Sequence, residues 1–161
     1  MEKKINLPNG VPSSFLKQSR LAEGQLTQLA EVIPQDKFTW RPEEGVRSIA
    51  EAFLHAAWGN YLIMKTLGGQ SPEGVDVQKL EKSITDKKQI VEELKKSFET
   101  VNKYVSGIPE SEYDTEVDFF GMKLTKLDMI FSAATHQWET LGQAIAYSRT
   151  NHVAPPWTVA Q

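Results

Sequence analysis

The sequence predicts an all-α protein, a four-helix bundle, on three observations. Apolar residues recur at alternating three- and four-residue steps in four separate segments. Gly and Pro punctuate the joints between those segments. Little else lies between them, and helices with one apolar face bury it against one another. At 161 residues, the whole chain (1–161) reads as a single domain able to bury one substantial core.

The first helix is expected from Pro12 to Ile33, where Pro12 and Ser13 suit a helix start and Pro34 a stop. Its stripe is Phe15, Ser19, Ala22, Leu26, Leu29 and Ile33. The second is expected from Ser48 to Leu67, with Gly68-Gly69 ending it. It carries two stripes: Ile49, Phe53, Ala56, Ile63 and Leu67, then Ala50, Leu54, Ala57, Trp58, Tyr61 and Met64. A helix apolar on so much of its circumference is either central or covered by another chain. In a bundle this small a subunit partner is the expected cover, giving a homodimer through Leu54, Trp58 and Tyr61 with Trp138.

The third helix is expected from Val77 to Ser106. Val77, Leu80, Ile84, Val91, Leu94, Phe98, Val101 and Val105 keep a heptad spacing interrupted only at Lys87. The opposite face is rich in Lys and Glu and reads as solvated. Residues 116–124 alternate briefly around Gly121, which predicts a short extended turn too small to make a sheet. The fourth helix is expected from Thr125 to Thr150, and Pro155-Pro156 cannot continue it. One of its stripes holds Leu124, Leu127, Phe131, Ala134, Trp138, Leu141 and Ile145. The other, nearly opposite, holds Met129, Ala133, His136, Thr140, Ala144 and Tyr147.

Composition narrows the function. Hydrophobic residues at 40% and charged residues at 24% belong to a globular chain and not a disordered one. A net charge of −3 supplies no basic field, so nucleic acid is not an expected partner. No stretch approaches the ~18 to 20 apolar residues that span a bilayer. The charged start Met1-Glu-Lys-Lys-Ile-Asn is not followed by a signal-like apolar run. No membrane partner is expected, and the expected location is cytoplasmic. With no cysteine, disulfides, cysteine nucleophiles and thiolate metal sites are all excluded. Any thiol chemistry requires a thiol that arrives with a substrate.

The three histidines are the candidate functional residues: His55 on the second helix, His136 on the fourth and His152 in the tail. Helical bundles build metal sites from side chains on facing helices, and imidazole is the best ligand this chain has. His55 shares its face with Ser48, Glu51, Gly59, Leu62 and Thr66, which suits a cleft wall and equally a solvated face. His136 lies on a semi-buried stripe of small residues with room beside it; the alternative is a core histidine bonded to a backbone carbonyl or to Gln143. His152 reads as an exposed tail residue. Glu51 and Glu139 could act as a general base only if they line the histidines' cavity, and Glu139 shares a polar stripe with Asp128, Ser132 and Arg149. No nucleophile elbow, phosphate-binding Gly-rich loop or His-Glu-x-x-His helix is present.

Two segments resemble a known family. Phe38-Thr-Trp-Arg-Pro, followed by Ser48-Ile opening the second helix and carrying His55, is similar to the DinB-like pattern. So is His136-Gln-Trp-Glu-Thr-Leu-Gly142-Gln143, with the closing Pro155-Pro156. The resemblance, to bacterial stress proteins and metal-dependent thiol transferases, covers nearly the whole chain in element order. It implies an up-down-down-up bundle, often dimeric, and in many members a zinc or nickel ion on three histidines. One comes from the second helix and two, spaced His-x-x-x-His, from the fourth. It implies a low-molecular-weight thiol cosubstrate. His55 and His136 match the first two ligand positions, but the third is Thr140, a poor ligand for zinc or nickel. The expected site is therefore an incomplete two-histidine one with Glu51 as the candidate carboxylate, holding metal weakly or not at all. The alternative expectation is a metal-free dimeric bundle that binds a small ligand or partner without catalysis.

Overall fold

Capping residues and apolar spacing together decide where the helices lie. The computed structural model describes residues 10–158; the charged N-terminal stretch lies outside them. Four helices form, α1 (Val11–Val32), α2 (Ile49–Thr66), α3 (Lys87–Ser106) and α4 (Lys126–Thr150). Pro12 sits in the first turn of α1, where no backbone N–H is needed. At α2, Ser48 and Glu51 form a reciprocal capping box, and Thr125 and Asp128 do the same for α4.

The third helix begins ten residues later than its apolar spacing predicts. Asp86 caps it, its carboxylate accepting from the N–H of Gln89 at 3.0 Å. The interruption at Lys87 in the heptad pattern is therefore the helix start. Val77 and Leu80 are buried all the same, because the loop and the short 3-10 turn Leu80–Lys82 pack against α2. Periodic burial outran helical structure.

The stretch between α3 and α4 is a hairpin and not a bare turn. Strands β1 (Glu116–Phe119) and β2 (Met122–Thr125) pair antiparallel, Glu116 opposite Thr125 and Phe119 opposite Met122. Phe120 and Gly121, at φ 54° and 83°, make the two-residue turn whose positive φ values match strand twist. An exposed phenylalanine in that conformation is an uncommon hairpin signal.

Contacts between named residues give the helix directions. Asn60–Ser97 and Leu67–Tyr104 bonds share a separation of 37 residues, so α2 and α3 run parallel. Lys87 at the start of α3 donates to the carbonyls of Glu31 and Ile33 at the end of α1, so that pair is antiparallel. Trp40 before α2 meets Tyr147 near the end of α4, edge to face at 5.6 Å, so α2 and α4 are antiparallel. The order is up-down-down-up. Helix α2 packs on α3 and α4, and α1 packs on the same two from across the core.

Both apolar stripes of α2 are consumed within the chain. Leu54 and Tyr61 are fully buried, and the Tyr61 hydroxyl donates to Glu93 at 2.8 Å. The expected dimer patch is thus interior at those two positions, covered by α3, α4 and the 80–82 turn. Only Trp58 and Trp138 remain half-buried.

One polar seam crosses the core. The Gln137 amide donates to Asn60 at 2.9 Å, and Asn60 donates to Ser97 at 3.1 Å, all three buried. Asn60→Ala removes the acceptor of a buried amide and should cost about 1 to 3 kcal/mol. Thr125→Ala, which deletes an exposed cap, should cost about 1 kcal/mol. Urea unfolding of both variants checks this ranking; a neutral Asn60→Ala would contradict it.

Candidate metal-binding site

His55 sits in the second turn of α2 and His136 midway along α4, where these antiparallel helices are in contact. Their Nε2 atoms are 3.1 Å apart and their ring centroids 4.8 Å apart. The two histidines singled out in the sequence therefore meet. Trp58 stacks on the His55 ring, nearly parallel at 4.9 Å.

Glu81 orients His55. Its carboxylate lies 2.6 Å from His55 Nδ1 and also accepts from Arg47 Nε at 2.8 Å. Burial alone would raise the Glu81 pKa, but the hydrogen bonds from His55 and Arg47, and their charges, outweigh it and hold it at about 2. An ionised carboxylate can only accept, so His55 Nδ1 carries the proton. In the neutral ring this leaves a lone pair on Nε2, aimed toward His136.

The His136 ring is held toward its neutral form. Burial, assisted by the charge of His55, pulls its pKa down to about 4. Its Nδ1 is buried and has no hydrogen-bond partner among the described residues. Neither a backbone carbonyl nor Gln143 serves it; Gln143 donates instead to the Tyr147 hydroxyl at 3.2 Å.

The other candidates are placed elsewhere. Glu51 is committed to its capping box and to Arg41 at 3.2 Å. Arg41 and the Ser48 N–H outweigh burial and keep its pKa low. It is not the partner carboxylate of the histidines. Glu139 is exposed, as its stripe suggested, and so is His152. Thr140 is buried, and its hydroxyl turns back to the carbonyls of His136 and Gln137 at 2.8 and 3.0 Å.

Sequence reasoning missed Glu81, because the segment around it was read as the solvated face of α3. The break at Lys87 was the available signal that residues 77–86 form something else. Glu81 lines two surface cavities, of about 520 and 630 Å³; Arg41, Arg47, Lys82 and Gln143 line the first, Trp58 and Lys82 the second. Neither imidazole lines either cavity. The pair stands behind Glu81 and does not form the cleft wall itself.

Two nitrogens bound cis to one zinc-like ion, at ~2.0 to 2.1 Å each, lie ~2.9 to 3.4 Å apart. The observed 3.1 Å falls in that range, and it is also the length of the hydrogen bond that His136 Nε2 donates to His55 Nε2. Glu81 supplies the outer-sphere acceptor that metal-bound histidines normally have, while His136 has none. Among the described residues, no group of three or more His, Cys, Asp or Glu side chains could hold a metal ion. The donor set fits an ion through two nitrogens.

Residues 18–144 match the model of the DinB superfamily. The chain belongs to this superfamily. Solved structures of similar fold include a DinB-like protein from Bacillus cereus ATCC 10987, with a TM-score of 0.77 and 16% identity over 91% of this chain and 97% of that one. A DinB-like protein from Bacillus subtilis gives 0.69 and 22% over 89% and 96%, and a conserved protein from Enterococcus faecalis 0.74 and 16% over 88% and 97%. At such identities the likeness is one of fold. No curated protein matches the sequence. Among the described residues of this DinB-superfamily chain, no helix is long and apolar enough to cross a membrane.

The two shifted groups predict two acid windows. His136 titrates near 4 in the native state and near 6.5 unfolded, so the unfolded chain binds the extra proton as pH falls between them. Stability is full above about pH 6.5 and should drop by up to about 3 kcal/mol by pH 4. The Glu81 contribution is present above about pH 4.3 and lost as pH falls toward 2. Urea midpoints against pH should show both; His136→Ala should flatten the upper window and Glu81→Gln the lower. Equal slopes in wild type and His136→Ala between pH 6.5 and 4 would contradict the assignment.

Proposed function

We propose that this DinB-superfamily protein holds a divalent ion of the zinc or nickel type on His55 and His136 and uses it on a small molecule, with a low-molecular-weight thiol as cosubstrate. The observation that carries the reading is the 3.1 Å approach of two Nε2 atoms, one on a ring whose opposite nitrogen is tied to Glu81. Such an ion supplies Lewis acidity and lowers the pKa of a bound water or thiol.

The chain's own residues do the rest. Glu81 fixes the His55 tautomer, and Arg47 keeps Glu81 ionised and in place. With His55 Nε2 accepting, the neutral His136 ring donates from Nε2, so an ion bound there would displace that proton to Nδ1 or to solvent. Arg41, Arg47 and Lys82 line the cavity on the far side of Glu81 against Glu51 and Glu81, leaving it a small positive excess. With no cysteine in the chain, the reacting thiol comes from solution. Two protein donors make a weak site, with dissociation constants in the micromolar range or above.

The second reading is a metal-free dimeric bundle that binds a small ligand or partner without catalysis. Thr140 favours it, since its hydroxyl is buried and satisfied within its own helix. A homodimer would use a surface other than Leu54 and Tyr61.

Calorimetric titration of tag-free protein with zinc and nickel separates the two readings. One ion should bind per chain, and His55→Ala and His136→Ala should each lower the affinity at least ~10-fold. Thr140→His, one helical turn from His136, should raise it at least ~10-fold. Absent heat in the wild type, or heat unchanged by either alanine variant, would sink the metal reading.

A further inference from the structure

We infer that Gly59 is a positioning residue for His136: the missing side chain at 59 is the space in which the imidazole lies to meet His55. A Cβ built at Gly59 would fall 2.1 Å from His136 Cε1, 2.3 Å from its Nδ1 and 3.0 Å from its Nε2. Real Cβ atoms do not approach other atoms so closely. The ring rests against the bare backbone of α2, one helical turn beyond His55 on the same face.

The usual reasons for a glycine do not apply at 59. It lies inside α2 with no positive φ, so its backbone conformation suits any residue. Helix interiors disfavour glycine relative to alanine. The other helical glycines differ: a Cβ at Gly24 or Gly142 would meet nothing within 4 Å.

The two imidazoles are thus held by different means. His55 is oriented by a hydrogen bond from Nδ1 to Glu81, whereas His136 Nδ1 has no partner among the described residues. The His136 ring is set instead by the notch at Gly59, by His55 at 3.1 Å and by the tilted Trp58 ring, 6.4 Å away between centroids. An alanine at 59 would drive the ring out of the notch and separate the Nε2 atoms. This inference rests on reading the pair as the working site only for its metal arm.

The test compares Gly59→Ala, Gly142→Ala, His136→Ala and the double variant Gly59→Ala/His136→Ala. Gly59→Ala should lower Tm by ~3 to 10 °C in the wild type, the cost of overpacking. It should leave Tm unchanged or raised in the His136→Ala background, where the notch is empty. Gly142→Ala should be neutral or stabilising in either background. If Gly59→Ala alone does not fold, recovery of folding in the double variant supports the inference and failure to recover overturns it.

A second readout separates positioning from bulk stability. The nuclear Overhauser contact between the His136 ring Hε1 and the Gly59 Hα protons should be present in the wild type. In Gly59→Ala the ring signals of both His136 and His55 should shift while those of exposed His152 stay fixed. Nickel affinity should fall at least ~10-fold. Equal Tm changes in both backgrounds, or unmoved ring signals, would overturn the inference. A wild type that binds no nickel removes the metal reading above and leaves the Tm cycle and ring signals to decide this one.

Discussion

Helix α2 is apolar around most of its circumference, and the rest of the bundle is arranged to cover it. Ile49, Phe53 and Ile63 face one way and Leu54, Ala57 and Tyr61 another, all buried. A sequential up-down-up-down order could also give α2 two helical neighbours, but one of them would be α1. Here α1 is set across the core, so α2 packs against the later helices α3 and α4. The parallel α2–α3 pairing then needs the long connection from 67 to 86, and that connection itself covers α2 through Val77 and Leu80. Burial of α2 thus creates the geometry in which Glu81 reaches His55 and α4 brings His136 alongside.

The α2–α4 crossing concentrates polar groups that a core would otherwise exclude. Asn60 and Gln137, each next in sequence to a residue of the Gly59–His136 contact, are bonded to each other and onward to Ser97. Buried polar networks of this kind fix register, because a slipped helix leaves several amides unpaired. Among the described residues the seam is incompletely satisfied: Gln137 Oε1 and His136 Nδ1 have no partners. Buried polar groups normally find partners, and the exceptions gather where chemistry or binding requires them. The unpartnered imidazole nitrogen is Nδ1, against the Gly59 backbone, and not the Nε2 that meets His55.

Helix number and stripes were legible because burial imposes periodicity, whereas the helix order was legible only as what the family resemblance implies. Phe15, Ala22, Leu26 and Leu29 are buried as their spacing predicts. The same signal misled at Val77 and Leu80, which are buried without being helical. It also misled at Leu54 and Tyr61, because amphipathicity marks a face as covered without saying by what. The pairing of His55 with His136 was legible as family position and helical phase. Glu81 and Gly59 were not, since their roles depend on how a loop folds back and how closely two backbones approach. Neither quantity is written in one residue's identity.

Two imidazole nitrogens converge on one point, with a carboxylate fixing the first ring and shape fixing the second. A crystal structure of the tag-free protein soaked in zinc, with anomalous maps at the zinc edge, examines that point directly. A single strong peak is expected at ~2.0 to 2.1 Å from Nε2 of both His55 and His136, with Glu81 still on His55 Nδ1. Rings turned apart, or zinc bound only at surface carboxylates or the exposed His152, would contradict it.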